Sequence, residues 1–226
     1  MRCLVALGFL SVVGSMVAAP IPPRDERKEQ QQAVERILKL GGNVSYDYQR
    51  PNPAKPNVFE PDAKPKNPAA FHRVVHVDLR GTKVTDEDLK VLALLPHLEN
   101  LDLTDTRISG AGLAPLEGLT NLRVLGLWKT SVDDAGLEHI KGLTKLWLLI
   151  LDETRVTDAG LVHLKNMTEL TPWLGLTGTQ VTDDGLKCLE GFKKLKSLNL
   201  RNTQVTEAGA KRLRVALPNT DISFGK

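Results

Sequence analysis

Three side chains able to ligate a metal recur at one position of successive segments of this chain: His139, His163 and Cys188. They fall on neighbouring helices of an array, and packed helices lie about 10 Å apart. A metal ligand must sit about 2.0 to 2.3 Å from its ion, so the three are read as helix surface. Asp78, Asp102 and Asp152 are carboxylates of the kind that pair for general acid and base work. No nucleophile, phosphate loop or metal signature accompanies them, and they are read as polar decoration. His76 beside Asp78 and Arg80 is a candidate recognition edge. The residues therefore point to no catalytic group, no cofactor and no metal; the chemistry they offer is that of a binding surface.

A repeat must position these side chains. Thr82, Thr106, Thr130, Thr154, Thr179 and Thr203 are spaced 24, 24, 24, 25 and 24 residues apart. An apolar pair precedes each: Val77/Leu79, Leu101/Leu103, Leu125/Leu127, Leu149/Leu151, Leu174/Leu176 and Leu198/Leu200. Polar neighbours alternate with the outer pairs, which predicts short strands that bury the pair. The threonine sits in the turn leaving the strand, where its side chain can bond to backbone. Three residues on, Thr85, Ser109, Asp133, Thr157, Thr182 and Thr206 are helix N-cap residues. The helices that follow bury residues such as Leu161, Leu164 and Met167. The final LPNTDIS, with Ile222 in phase, reads as a terminal strand or cap.

The units LENLDLTDTRISGAGLAPLEGLTN, LRVLGLWKTSVDDAGLEHIKGLTK and LWLLILDETRVTDAGLVHLKNMTE resemble leucine-rich repeats of the longer, helix-containing, ribonuclease-inhibitor-like class. They are similar to the TDAGL-type arrays of secreted bacterial proteins, those of planctomycetes above all. The resemblance covers about residues 74 to 222. It implies an α/β leucine-rich repeat solenoid, a horseshoe with a parallel concave sheet and convex helices, whose common property is a binding surface and not a reaction.

On the concave face the outward strand positions are His76, Asp78 and Arg80; Asn100, Asp102 and Thr104; Val124, Gly126 and Trp128; Leu148, Ile150 and Asp152; Trp173, Gly175 and Thr177; Ser197, Asn199 and Arg201. The outer repeats are polar. The middle ones place Val124, Trp128, Leu148, Ile150 and Trp173 where water is expected, with Gly126 and Gly175 leaving open space beside Ile150. An exposed apolar patch with polar margins marks a binding site, and tryptophan is favoured as an interface anchor. A protein or peptide ligand is the leading expectation. Carbohydrate binding by the tryptophans and the nearby Asp, Asn and Arg residues is a variant, and self-association or envelope assembly through the same patch is the alternative. The fifth repeat, LTPWLGL, is one residue longer than LWLLIL or LKSLNL. Either Thr171-Pro172-Trp173 forms a β-bulge that turns Trp173 toward the patch, or the insertion slips in the turn before the strand and Trp173 lies over the sheet edge. Trp147 is read as edge packing.

The 226 residues suit one domain with appendages, and 25% charged with 41% hydrophobic residues is ordinary for a globular protein. A formal net charge of +3 makes no electrostatic case for nucleic acid. Residues 1–19 are read as a signal peptide or an N-terminal anchor, since the apolar run from Cys3 to Ala19 only reaches the lower limit of roughly 17 residues for a membrane span. Either way the repeats lie outside the cytoplasm, and any membrane contact runs through an uncleaved leader. Past the leader Cys188 is the sole cysteine, so no disulfide forms within the mature chain. Residues 20–24 are a spacer and 25–48 a helix–strand cap, with Ala33, Val34, Ile37, Leu38 and Leu40 as the helix stripe and Val44, Tyr46 and Tyr48 alternating in the strand. The proline-rich 49–70 is a solvated excursion or a flap with Phe59 as its apolar contact; repeats fill 71–222, and 223–226 is a tail.

Overall fold

The computed structural model describes residues 24–49 and 71–226. Residues 1–23, with the segment expected to be a signal peptide or anchor, and 50–70, with Phe59, lie outside the described residues. Helix α1, Arg24–Lys39, carries Asp25 and Glu26 in its first turn and Arg36 and Lys39 in its last, each complementing the helix dipole. Gly41, at φ 83°, turns the chain out of it. Ala33 and Ile37 are buried by the helix, whereas Leu38, expected in the same stripe, points to solvent. Strand β1, Asn43–Tyr46, then runs antiparallel to β2, Val74–Asp78. The expected alternation to Tyr48 stops at Tyr46, because a 3-10 turn over Asp47–Gln49 begins there and Gln49 accepts the Tyr46 amide at 2.8 Å.

From β2 onward every strand is parallel to the last. These are β3 Asn100–Asp102, β4 Val124–Gly126, β5 Leu148–Ile150, β6 Trp173–Gly175, β7 Ser197–Arg201 and β8 Asp221–Gly225, in the order of the chain across one sheet. Strand β8 includes residues expected to be a tail, since Arg214 stacks on the Phe224 ring at 5.1 Å and holds them down. Leu101, Leu125, Leu149, Leu174 and Leu198 line up in register beneath the sheet and are almost wholly buried. Burial of these rows is the main stabilisation of such an array, each repeat closing the core of its neighbour.

The convex side is not a row of α-helices. Helices α2 Asp134–Ile140, α3 Asp158–Leu161 and α4 Glu207–Ala216 are α-helical, whereas Asp88–Leu94, Gly110–Leu116 and Gly185–Leu189 are 3-10 turns. Strands stack about 4.8 Å apart and α-helices about 10 Å, so slimmer turns on the outer side relax the curvature that helices would impose.

Two ladders lock the repeats. In the first, the hydroxyls of Thr82, Thr106, Thr130, Thr154, Thr179 and Thr203 each donate to the carbonyl three residues earlier, at 2.6 to 2.7 Å. The residue before each threonine is left-handed: Gly81, Asp105, Lys129, Glu153, Gly178 and Asn202 have φ between 54° and 69°. Left-handed backbone costs a non-glycine residue roughly 1 to 2 kcal/mol, and glycine's extra unfolded-state entropy offsets roughly 0.4 to 1 kcal/mol of any relief. Glu153→Gly is therefore expected to raise stability by about 0.5 kcal/mol; a lower urea midpoint would count against that strain.

The second ladder crosses between repeats. The amide and hydroxyl of Ser109 donate to Asp86, those of Thr157 to Asp134, those of Thr182 to Asp158 and those of Thr206 to Asp183. Each aspartate then rests against a glycine three residues beyond its partner, Gly112, Gly160, Gly185 or Gly209, where a Cβ would come within 2.0 to 2.4 Å of a carboxylate oxygen. The TDAGL motif is thus an interface motif. Between the second and third repeats both members change: Gly110 replaces the aspartate, and Asp133 replaces the hydroxyl residue, its Oδ1 lying 2.1 Å from where a Gly110 Cβ would stand. Asp133, Thr157 and Thr206 also cap their helices, and Thr182 accepts from the Asp184 amide. Ser109 and Thr85, expected as caps, do not cap: the Ser109 hydroxyl is engaged by Asp86 and that of Thr85 by Asp88.

Candidate functional site

Parallel pairing in unbroken register sorts the concave residues into columns. His76, Asn100, Val124, Leu148, Trp173 and Ser197 form one; Asp78, Asp102, Gly126, Ile150, Gly175 and Asn199 form the next. Backbone bonds such as Asp105 N to Trp128 O and Lys129 N to Asp152 O carry the register past the strands, so Arg80, Thr104, Trp128, Asp152, Thr177 and Arg201 make a third.

The surplus residue of the fifth repeat is Pro172. Thr171 donates to the Trp147 carbonyl at 3.2 Å and accepts from Lys196 at 2.7 Å, holding the rung that Trp147 holds in the repeat before. Trp173 pairs with Leu148. The extra residue is absorbed just ahead of the strand, not as a bulge within it, because proline has no amide hydrogen for the ladder. Trp173 nevertheless stands in the concave column and not over the sheet edge.

Trp128, Ile150 and Trp173 border one open cleft of about 410 Å³, completed by Thr104, Asp152, Glu153, Thr177 and Asn199. Trp128 is 44% exposed, a large fraction for an indole. Val124 and Leu148, half-buried, continue the apolar surface along the first column. Gly126 and Gly175 do not leave open space, as their lack of a side chain suggested: the Asp102 carboxylate lies over Gly126 and that of Asp152 over Gly175, 2.7 and 1.9 Å from where a Cβ would be. Both fold back because each accepts a backbone amide, Asp102 from Thr104 at 3.0 Å and Asp152 from Thr177 at 2.9 Å. Asp152 is consequently buried, and Asn100, in the first column, is likewise buried and not held out to solvent. Asp152 Oδ2 has no hydrogen-bond partner.

Away from the cleft, the edge at His76, Asp78 and Arg80 is internally paired. Arg80 donates to both Asp78 oxygens, at 3.0 and 2.7 Å, and lies 3.4 Å from Asp102. Burial alone would raise the Asp78 carboxyl, but the Arg80 hydrogen bonds and charge bring it below the usual carboxylate range. Burial pushes the His76 imidazole below its ordinary value against the pull of Asp78 and Asp102. Arg201 is exposed, one column beyond Asn199. On the convex side His139 meets Glu117 at 2.6 Å, and among the described residues no group of three or more His, Cys, Asp or Glu could hold a metal. The cleft residue that sequence reasoning missed is Glu153. It follows the last outward strand position, in the left-handed turn, and only its adjacency to Asp152 pointed to it.

A leucine-rich repeat family model matches residues 95–116 of the chain. No curated protein sequence matches. Among solved structures the chain is similar to an internalin (inlF) from Listeria monocytogenes, with TM-score 0.54 and 24% identity over 62% of this chain and 38% of that one. It is also similar to internalin C2 (inlC2) from Listeria monocytogenes, with TM-score 0.52 and 27% identity over 60% of this chain and 55% of that one. The chain thus spans little more than half, or less, of the length of these neighbours. Repeat period, parallel in-register sheet, convex turns and these likenesses agree that the chain folds as an α/β leucine-rich repeat solenoid.

Proposed function

We infer that the chain is a non-catalytic binding module outside the cytoplasm whose concave face takes a protein or peptide ligand. The observation that carries this is the cleft itself, two tryptophans and Ile150 gathered on a strand surface whose flanking repeats are polar. Val124 and Leu148 extend the apolar area, and His76, Asp78, Arg80, Asp102, Asn199 and Arg201 form its polar margin, from which the buried Asn100 drops out. The leader-like residues 1–19 favour an extracytoplasmic site of action.

Iodide quenching of single Trp→Phe variants across a protein concentration series tests the reading. Quenchable Trp128 and Trp173 in a sedimenting monomer are the expected result. Protection of both with rising concentration would replace ligand capture by self-association. For any protein captured, Trp128→Ala and Ile150→Asp are expected to weaken binding at least about tenfold with an unchanged urea midpoint, whereas His163→Ala on the convex face should leave it intact. An equal loss from His163→Ala would sink the concave assignment.

A further inference from the structure

Two carboxylates attend the tryptophan cleft, and among the described residues neither makes an ion pair. Asp152 is more than nine-tenths buried, one oxygen on the Thr177 amide and the other unpartnered. That second oxygen occupies the place of a Gly175 side chain, which puts it in the cleft floor between Ile150 and Asn199 of the same column. Glu153 is exposed on the rim. Of the cations around it, Lys129 pairs with Asp105 at 2.8 Å and also feels the charge of Glu153, and Arg201, exposed two strands from Asp152 in the third column, makes no ion pair among the described residues.

The tryptophans flank this charge. Trp128 and Trp173 are two strands apart, about 10 Å, and offset by four residues along the strands, about 13 Å. Both rings border one cleft, so they approach each other across Ile150. Indole faces attract cations, and more strongly where water is excluded.

Resting on the concave-face reading above, we propose that the cleft receives a basic side chain of the protein ligand, an arginine or lysine. Its aliphatic stem lies over Ile150 between the two indoles, and its charge faces Asp152 and Glu153. An apolar side chain would fill the same space but bring the Asp152 oxygen no compensation and strip water from Glu153. A sugar could stack on the indoles but would leave both negative charges unneutralised. An acidic segment would be repelled. Asp152 acts by charge at short range through the cleft floor, where a low dielectric strengthens it, and Glu153 meets the cation at the rim.

The test is a tryptophan-fluorescence titration of the full chain with acetyl-Gly-Arg-Gly-amide, its norleucine and glutamate counterparts, and cellobiose. The arginine peptide is expected to give a saturable change, weakened by added salt, lost in Trp128→Ala and reduced at least about fivefold in Glu153→Gln. Asp152→Asn, which keeps an acceptor for the Thr177 amide, should weaken it without moving the urea midpoint. Norleucine peptide bound as tightly as arginine would overturn the basic side chain and leave the concave face standing as a peptide site. Cellobiose bound with no response to any peptide would overturn both. Absence of an arginine response, or one that survives Trp128→Ala and Glu153→Gln, would overturn the proposal.

Discussion

Thr157→Asp is expected to lower stability by about 3 kcal/mol, and adding Asp134→Gly to it should return most of that loss. Thr157 now gives Asp134 an amide and a hydroxyl donor, at 2.8 and 2.6 Å. An aspartate at 157 removes the hydroxyl donor and sets a second carboxylate against the first, a juxtaposition disfavoured at short range. The double variant recreates the arrangement at Gly110 and Asp133, where a carboxylate fills the space left by a glycine and caps its own helix through Gly136. Urea unfolding of the wild type, both single variants and the double variant gives the coupling, expected at about 2 kcal/mol. Additive effects would mean that the two positions do not meet as described.

Gly136→Ala runs against helix propensity. Alanine in place of a helical glycine ordinarily gains about 0.5 to 1 kcal/mol. At Gly136 the new methyl would lie 2.7 Å from the Gly110 Cα and 3.4 Å from its carbonyl oxygen, backbone that cannot swing aside. Prising the second and third repeats apart is expected to cost about 2 to 3 kcal/mol. Gly142, with nothing within 4 Å of the corresponding point, is the control, and its alanine variant should be close to neutral. A stable Gly136→Ala protein would show that the two backbones are not in contact.

The repeat period placed the strands, the threonine ladder and the concave columns correctly, because each depends on one residue type recurring at fixed phase. Trp173 could be assigned to its column but not its path, since a proline ahead of a strand and a bulge inside one have the same length. Two of the left-handed positions were illegible: Gly81, Asp105, Gly178 and Asn202 are types that such turns favour, but Lys129 and Glu153 are residues that no turn rule selects. The space at Gly126 and Gly175 was misread as open because the folding back of Asp102 and Asp152 over it depends on amides contributed by Thr104 and Thr177. The Asp–Ser/Thr ladder joins residues 23 or 24 apart. The substitution of both members at Gly110 and Asp133 was a visible trace of it.

That paired exception gives look-alike units an order. A repeat bearing Asp133 stacks only on one that offers a glycine, as Gly110 does; set against Asp134, Asp158 or Asp183 it would bring two carboxylates together. A repeat bearing Gly110, conversely, offers no acceptor to Thr157, Thr182 or Thr206. The units are therefore not interchangeable, and a chain whose segments could otherwise dock out of sequence while still collapsed carries, in two residues, a statement of which neighbour comes next.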